Sequence, residues 1–65
     1  MEERERAAEV RAAIARSGFK LYEVGAMAQI APSYLSQMLR GRIPLSPERA
    51  AKVLRAIEEA TAARG

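Results

Sequence analysis

Between Leu21 and Gly41 the apolar residues repeat at helical spacing twice over, and a proline fixes where the second repeat begins. In the first segment Leu21, Val24 and Ala28 fall on one side, and Tyr22, Glu23 and Ala26 on the other. In the second, Pro32 to Arg40, one face carries Leu35, Met38 and Leu39 and the opposite face Ser33, Ser36, Gln37 and Arg40, with Tyr34 at the border. Pro32 biases Ala31 towards an extended conformation and suits a first helical position, while Gly41 is placed to end the helix. Only Gln29, Ile30 and Ala31 remain for the turn, with Ile30 pointing back to the core. Two short helices joined this tightly, the second with a polar outer face, make a helix-turn-helix.

The flanks supply the rest of the core. Residues 3 to 16 are dense in Glu, Arg and Ala, with Ala7, Val10 and Ile14 in one apolar stripe, acids at the start and Arg16 in the last turn. Gly18 is placed for a left-handed stop, and Phe19 folds back onto the core. After a loop of Arg42, Ile43, Pro44 and Leu45, the run Ser46, Pro47, Glu48 gives a capping hydroxyl, a first-turn proline and an early acid. The fourth helix runs to about Ile57, with Ala50, Val53, Leu54 and Ile57 inward, and residues 58 to 65 either extend it or fray. Gly25 sits on the apolar side of the second helix. A mid-helix glycine costs about 1 kcal/mol against alanine, so close passage of another helix is expected there.

At 65 residues one domain, 1 to 65, is expected, with the motif at 21 to 41. Cysteine, histidine and aspartate are all absent, which removes the usual nucleophiles, near-neutral bases and metal ligands, so neither an enzyme nor a metal or cofactor site is expected. No apolar run approaches a membrane span of ~20 residues, and the start, Met-Glu-Glu-Arg-Glu-Arg, is no signal segment, so a cytoplasmic protein is expected. The net charge is +3, and it is unevenly spread. Residues 1 to 31 balance five basic side chains against five acidic ones, whereas residues 32 to 57 set Arg40, Arg42, Arg49, Lys52 and Arg55 against Glu48 alone. That excess suits an anionic partner. The Glu-Arg run of the first helix reads as a solvated face with local pairs such as Glu2 with Arg6, and Arg49, Lys52 and Arg55 as the solvated side of the fourth, with Glu48 and Lys52 at ion-pair spacing.

From about Val10 to Ile57 the sequence resembles the Cro/C1-type, or phage lambda repressor-like, helix-turn-helix family. Val24, the small Gly25, Ala28, Ile30, Leu35 and Met38 occupy its buried motif positions. Ser33-Tyr34-Leu35-Ser36, Leu39-Arg40-Gly41-Arg42 and Leu45-Ser46-Pro47-Glu48 resemble common members. The resemblance implies a compact all-α domain of four helices, or five, binding double-stranded DNA in bacteria or their phages, usually as a two-fold homodimer. Three departures stand out. Gln29 occupies a position where glycine is usual, Ala31 replaces the usual Ser or Thr cap, and the fifth helix that often builds the dimer has no obvious counterpart.

Carrying the docking mode over, the start of the reading helix meets base edges through Pro32, Ser33, Tyr34 and Gln37. An amide such as that of Gln37 can bond adenine bidentately. On the phosphates the candidates are Ser36, Arg40 and Arg42, with Lys20 before the second helix, whose first-turn amides could also hold a phosphate. Each has a plainer reading as solvated surface, and Tyr34 could serve only to cover the core edge. A transcriptional regulator is the leading expectation. The alternative is a small adaptor on the same fold, antitoxin-like or a phage protein docking on host transcription machinery through a protein partner.

Overall fold

The computed structural model describes residues 3–64, which form four helices and no strand. They are α1 (Glu3–Ser17), α2 (Leu21–Ala28), α3 (Pro32–Leu39) and α4 (Pro47–Arg64). The expected pair of Glu2 with Arg6 lies outside the described residues. Each boundary has a local cause. Gly18 and Gly41, at φ +81° and +83°, take the left-handed conformation that stops α1 and α3. At the end of α3 the Gly41 amide donates to the Met38 carbonyl at 3.1 Å and the Arg42 amide to Gln37 at 2.9 Å, the paired bonds of a Schellman ending. The Ser46 hydroxyl accepts the Arg49 amide at 3.1 Å and so caps α4, as its Ser-Pro-Glu start implies.

One core joins the four helices. Val10, Val24, Leu35, Met38, Leu45 and Val53 are fully buried at its centre. Helix α4 packs on α1 and α2, and α3 on α2 and α1, so α3 is supported from behind. Leu45 lies in the loop between α3 and α4, as its sequence context implies, and at only 1 % exposed it anchors that connection in the core. Phe19, Ile14, Ile30 and Leu54 pack half-buried against the same cluster.

Of the two readings for the residues after Ile57, extension holds: α4 continues to Arg64, whose guanidinium donates to the Ser17 carbonyl at 2.8 Å and lies 4.3 Å from the centre of the Phe19 ring. A cation at the last carbonyl of α1 complements that helix's dipole and ties the tail of α4 to its neighbour. The arginines of α1 are likewise more than solvated surface. Arg6 donates to the Leu45 carbonyl at 2.9 Å, and Arg11 to the Leu39 carbonyl, the last of α3, at 2.5 Å.

The turn between α2 and α3 explains Gly25. A Cβ on Gly25 would stand 2.7 Å from the Ile30 carbonyl oxygen and 3.4 Å from Pro32, so its close neighbours are the turn's backbone and the start of α3. The Ile30 amide donates back to the Gly25 carbonyl at 2.8 Å. Gln29 closes the turn at φ 59°, the left-handed region where a non-glycine residue bears strain, and Ala31 offers α3 no side-chain cap.

These geometries predict opposite outcomes for two neighbouring substitutions. Gly25→Ala is expected to destabilise, since forcing a methyl against backbone costs ~1–3 kcal/mol and the ~1 kcal/mol gained in helix propensity cannot offset a 2.7 Å clash. Gln29→Gly should relieve strain of about 1 kcal/mol and raise the melting temperature by roughly 4–8 °C. Thermal melts followed by circular dichroism check both. A higher midpoint for Gly25→Ala, or a lower one for Gln29→Gly, would show that the turn is not held as described.

Candidate nucleic-acid interface

Helix α3 buries Leu35, Met38 and Leu39 and leaves Pro32, Ser33, Gln37 and Arg40 exposed, with Tyr34 and Ser36 half-buried at the margins. The split follows from sequence spacing: 35, 38 and 39 stack on the core side of an eight-residue helix, and 33, 37 and 40 recur on the other. Ser33, Ser36 and Gln37 make no side-chain hydrogen bond to the rest of the described protein. The carboxamide of Gln37 therefore keeps both its donors and its acceptor for an external partner. Its backbone carbonyl, by contrast, is used twice, accepting from the amides of Arg42 at 2.9 Å and Ile43 at 3.4 Å. The helix end beneath the side chain is thereby fixed.

That same ending places two exposed cations. Arg40 caps α3 just after its last residue and Arg42 follows the left-handed Gly41, so both exposed arginines stand at the end of the polar face. From behind, Arg11 of α1 holds the Leu39 carbonyl and complements the negative end of the α3 dipole. The polar face is thus carried on a helix braced along its apolar side and at its C-terminus.

Lys20 lies on another element, as the exposed residue that precedes α2. Its backbone amide is already taken, because the Glu23 carboxylate accepts it at 2.7 Å. The Glu23 amide in turn donates to the Lys20 carbonyl at 3.0 Å. An acid therefore occupies the start of α2, where the sequence suggested room for a phosphate on the first-turn amides. The carboxylate takes the amide of Lys20, just before that first turn, and adds a like charge in any phosphate's path. Lys20 keeps its own ammonium, but the backbone site beside it is compromised.

Tyr34 is the residue whose surroundings differ most from expectation. Its ring packs half-buried against the core, and its hydroxyl accepts a hydrogen bond from Arg49 of α4 at 2.9 Å. The Arg49 guanidinium also lies 5.2 Å from the ring centre. Arg49 is therefore not simply part of a solvated face. A signal for this was present in the sequence: Arg49 sits in the first turn of α4, the positive end of the helix dipole, where a cation is locally disfavoured and a tertiary partner would justify it. Nor do Glu48 and Lys52 form the ion pair that their spacing suggests.

The described residues contain no cluster of three acidic, cysteine or histidine side chains able to hold a metal, and no buried side-chain polar atom lacks a partner. No described helix is long and apolar enough to cross a membrane. What the surface offers is a row of unpaired hydrogen-bonding side chains ending in arginines. That is the chemistry of groove and phosphate contact.

A family model described as helix-turn-helix matches residues 10–61, which spans α2, α3 and the turn between them together with parts of the flanking helices. No curated protein and no solved structure shows significant similarity to the chain. The match over most of the chain, on an all-α framework with the motif at its centre, makes the protein a member of the Cro/C1-type helix-turn-helix family, a family of DNA-binding regulators.

Proposed function

We propose that this chain is a sequence-specific transcriptional regulator of bacterial or phage origin, a single cytoplasmic domain that reads the major groove with residues 32 to 40. The observation that carries the proposal is the exposed, internally unpaired polar face of α3 on a helix whose other face is fully engaged in the core. A side chain whose donors and acceptors were all satisfied internally would be a poor reader. The Gln37 side chain has no internal partner, and at the middle of the exposed face it is the residue assigned to a base edge, with Pro32, Ser33 and Tyr34 beside it.

Arg40, Arg42 and Ser36 are assigned to phosphates, together with Lys20, whose contribution is the ammonium alone. The protein acts by occupancy, through steric competition or recruitment at an operator, without catalysing a reaction. A two-fold arrangement of two copies would place the reading helices about one helical turn of DNA apart, ~34 Å, because both must enter the groove from one side of the duplex.

The two classes of contact separate experimentally. With a duplex selected by the wild-type protein, Gln37→Ala is expected to lose ~1–3 kcal/mol of discrimination at one base step and little at others. Arg42→Ala should weaken every duplex alike and flatten the dependence of log affinity on log salt by about one unit. Fluorescence anisotropy over a salt series, on the selected duplex and its single-base variants, measures both. Uniform loss from Gln37→Ala would remove it as a reader. Failure of the wild-type protein to enrich any sequence, with only weak salt-sensitive binding, would favour the adaptor role.

A further inference from the structure

Tyr34 and Arg49 come from different helices, and three restraints meet on the tyrosine. The base of its ring packs on the core, the guanidinium lies 5.2 Å from the ring centre, and an arginine N–H donates to its oxygen at 2.9 Å. The direction of that hydrogen bond is forced. Arginine has donors only, so the phenol oxygen must accept, and its own hydrogen then points elsewhere. Tyr34 therefore keeps its O–H as a donor, on the helix that also carries the exposed Ser33 and Gln37, and the neighbouring cation polarises that donor further.

We propose that Arg49 is a positioning residue for DNA recognition, which holds Tyr34 as a pre-ordered hydrogen-bond donor aimed at an acceptor on the DNA. The proposal rests on the reading of α3 as the DNA-reading helix. The acceptor is a purine N7, a guanine O6 or thymine O4 on a base edge, or a phosphate oxygen. Arg49 reaches the reading surface through Tyr34 rather than as one more free cation. Its stem starts in the first turn of α4, itself fixed by the Ser46 cap and by Ala50 in the core, so the guanidinium is supported on a rigid base. Ordering an interface side chain before binding is worth about two- to tenfold in affinity.

The test is a double-mutant cycle with the full chain. Duplexes are first selected from a random pool by the wild-type protein. Affinities of wild type, Tyr34→Phe, Arg49→Met and the double variant are then measured on the selected duplex and on each single-base change. Tyr34→Phe keeps the ring in the core and Arg49 is exposed, so both variants retain the fold, which circular dichroism checks. Each single substitution is expected to weaken binding by about tenfold, and the double by little more than either alone, as for contacting residues that act as a unit. Relaxed preference at the same base position in both single variants places the acceptor on a base edge; equal loss on all duplexes places it on a phosphate.

A double variant weakened by the product of the two losses would make Arg49 an independent contact and overturn the proposal, as would an Arg49→Met protein that binds like wild type. If the wild-type protein enriches no sequence, the reading of α3 fails and the positioning role falls with it. That outcome is separate from a specific wild type with additive variants, which removes only the role of Arg49.

Discussion

The close approach of the Ile30 carbonyl to Gly25 sets how α3 leaves α2, and the rest of the molecule is arranged around it. A side chain at Gly25 would meet backbone oxygen at 2.7 Å, so only glycine lets the turn fold back far enough for the Ile30 amide to bond the Gly25 carbonyl. With that bond in place, Pro32 begins α3 against the middle of α2. Leu35 and Met38 then point into the space between α1, α2 and α4, where they are 0 % and 1 % exposed. Burial of the apolar face and exposure of the polar one are consequences of a single crossing. The turn bears its own costs: a left-handed Gln29 and an uncapped α3 start are each unfavourable by about 1 kcal/mol. The core must offset them, which in a domain of this size leaves little to spare.

Much of this architecture was legible because helical periodicity and end signals operate within one or two turns. The bounds of α2, the proline start of α3, the glycine stops and the Ser46 cap all follow from neighbours in sequence. The features that local sequence leaves open are those decided by distant residues. Leu45 is a loop residue, as it reads locally, but its burial is set by the core beneath the connection from α3 to α4. The tail of α4 lacks large apolar groups, and its helicity to Arg64 is supported by a carbonyl and a ring 47 and 45 positions away in sequence, Ser17 and Phe19. Gly25 needs a packing reason on sequence grounds, and the neighbours that supply it are the turn's Ile30 carbonyl, nearest of all, and Pro32 at the start of α3.

The candidate site divides in the same way. Which side chains lie on the outer face of α3 follows from spacing alone, and Ser33, Gln37 and Arg40 are exposed as that spacing implies. Whether a given polar residue is already engaged does not follow from spacing, because partners come from other elements. Tyr34 reads as a border residue with two uses, and only the arrival of Arg49 across 15 positions defines its hydroxyl oxygen as the acceptor of an arginine N–H. Glu23 looked like ordinary α2 surface, yet its carboxylate closes the amide of Lys20.

The arginines show why net charge is a poor guide to the site. Of nine in the sequence, Arg6, Arg11 and Arg64 each donate to a backbone carbonyl of another segment, and Arg49 to a tyrosine hydroxyl. Two of those carbonyls, Ser17 and Leu39, are the last of α1 and α3, where the helix leaves an unsatisfied acceptor and a partial negative charge. A long, forked side chain from a neighbouring helix meets both needs at once, which lysine's single ammonium does less well. With no cysteine in the sequence and no metal-binding cluster or large aromatic core among the described residues, tying helix ends together with guanidinium groups is a way for a small alanine-rich bundle to fix its helices relative to one another. The positive charge of this chain thus has two physical roles. One part stabilises helix ends from within, and Arg40 and Arg42, placed by the Gly41 turn, remain exposed at the end of the polar face of α3.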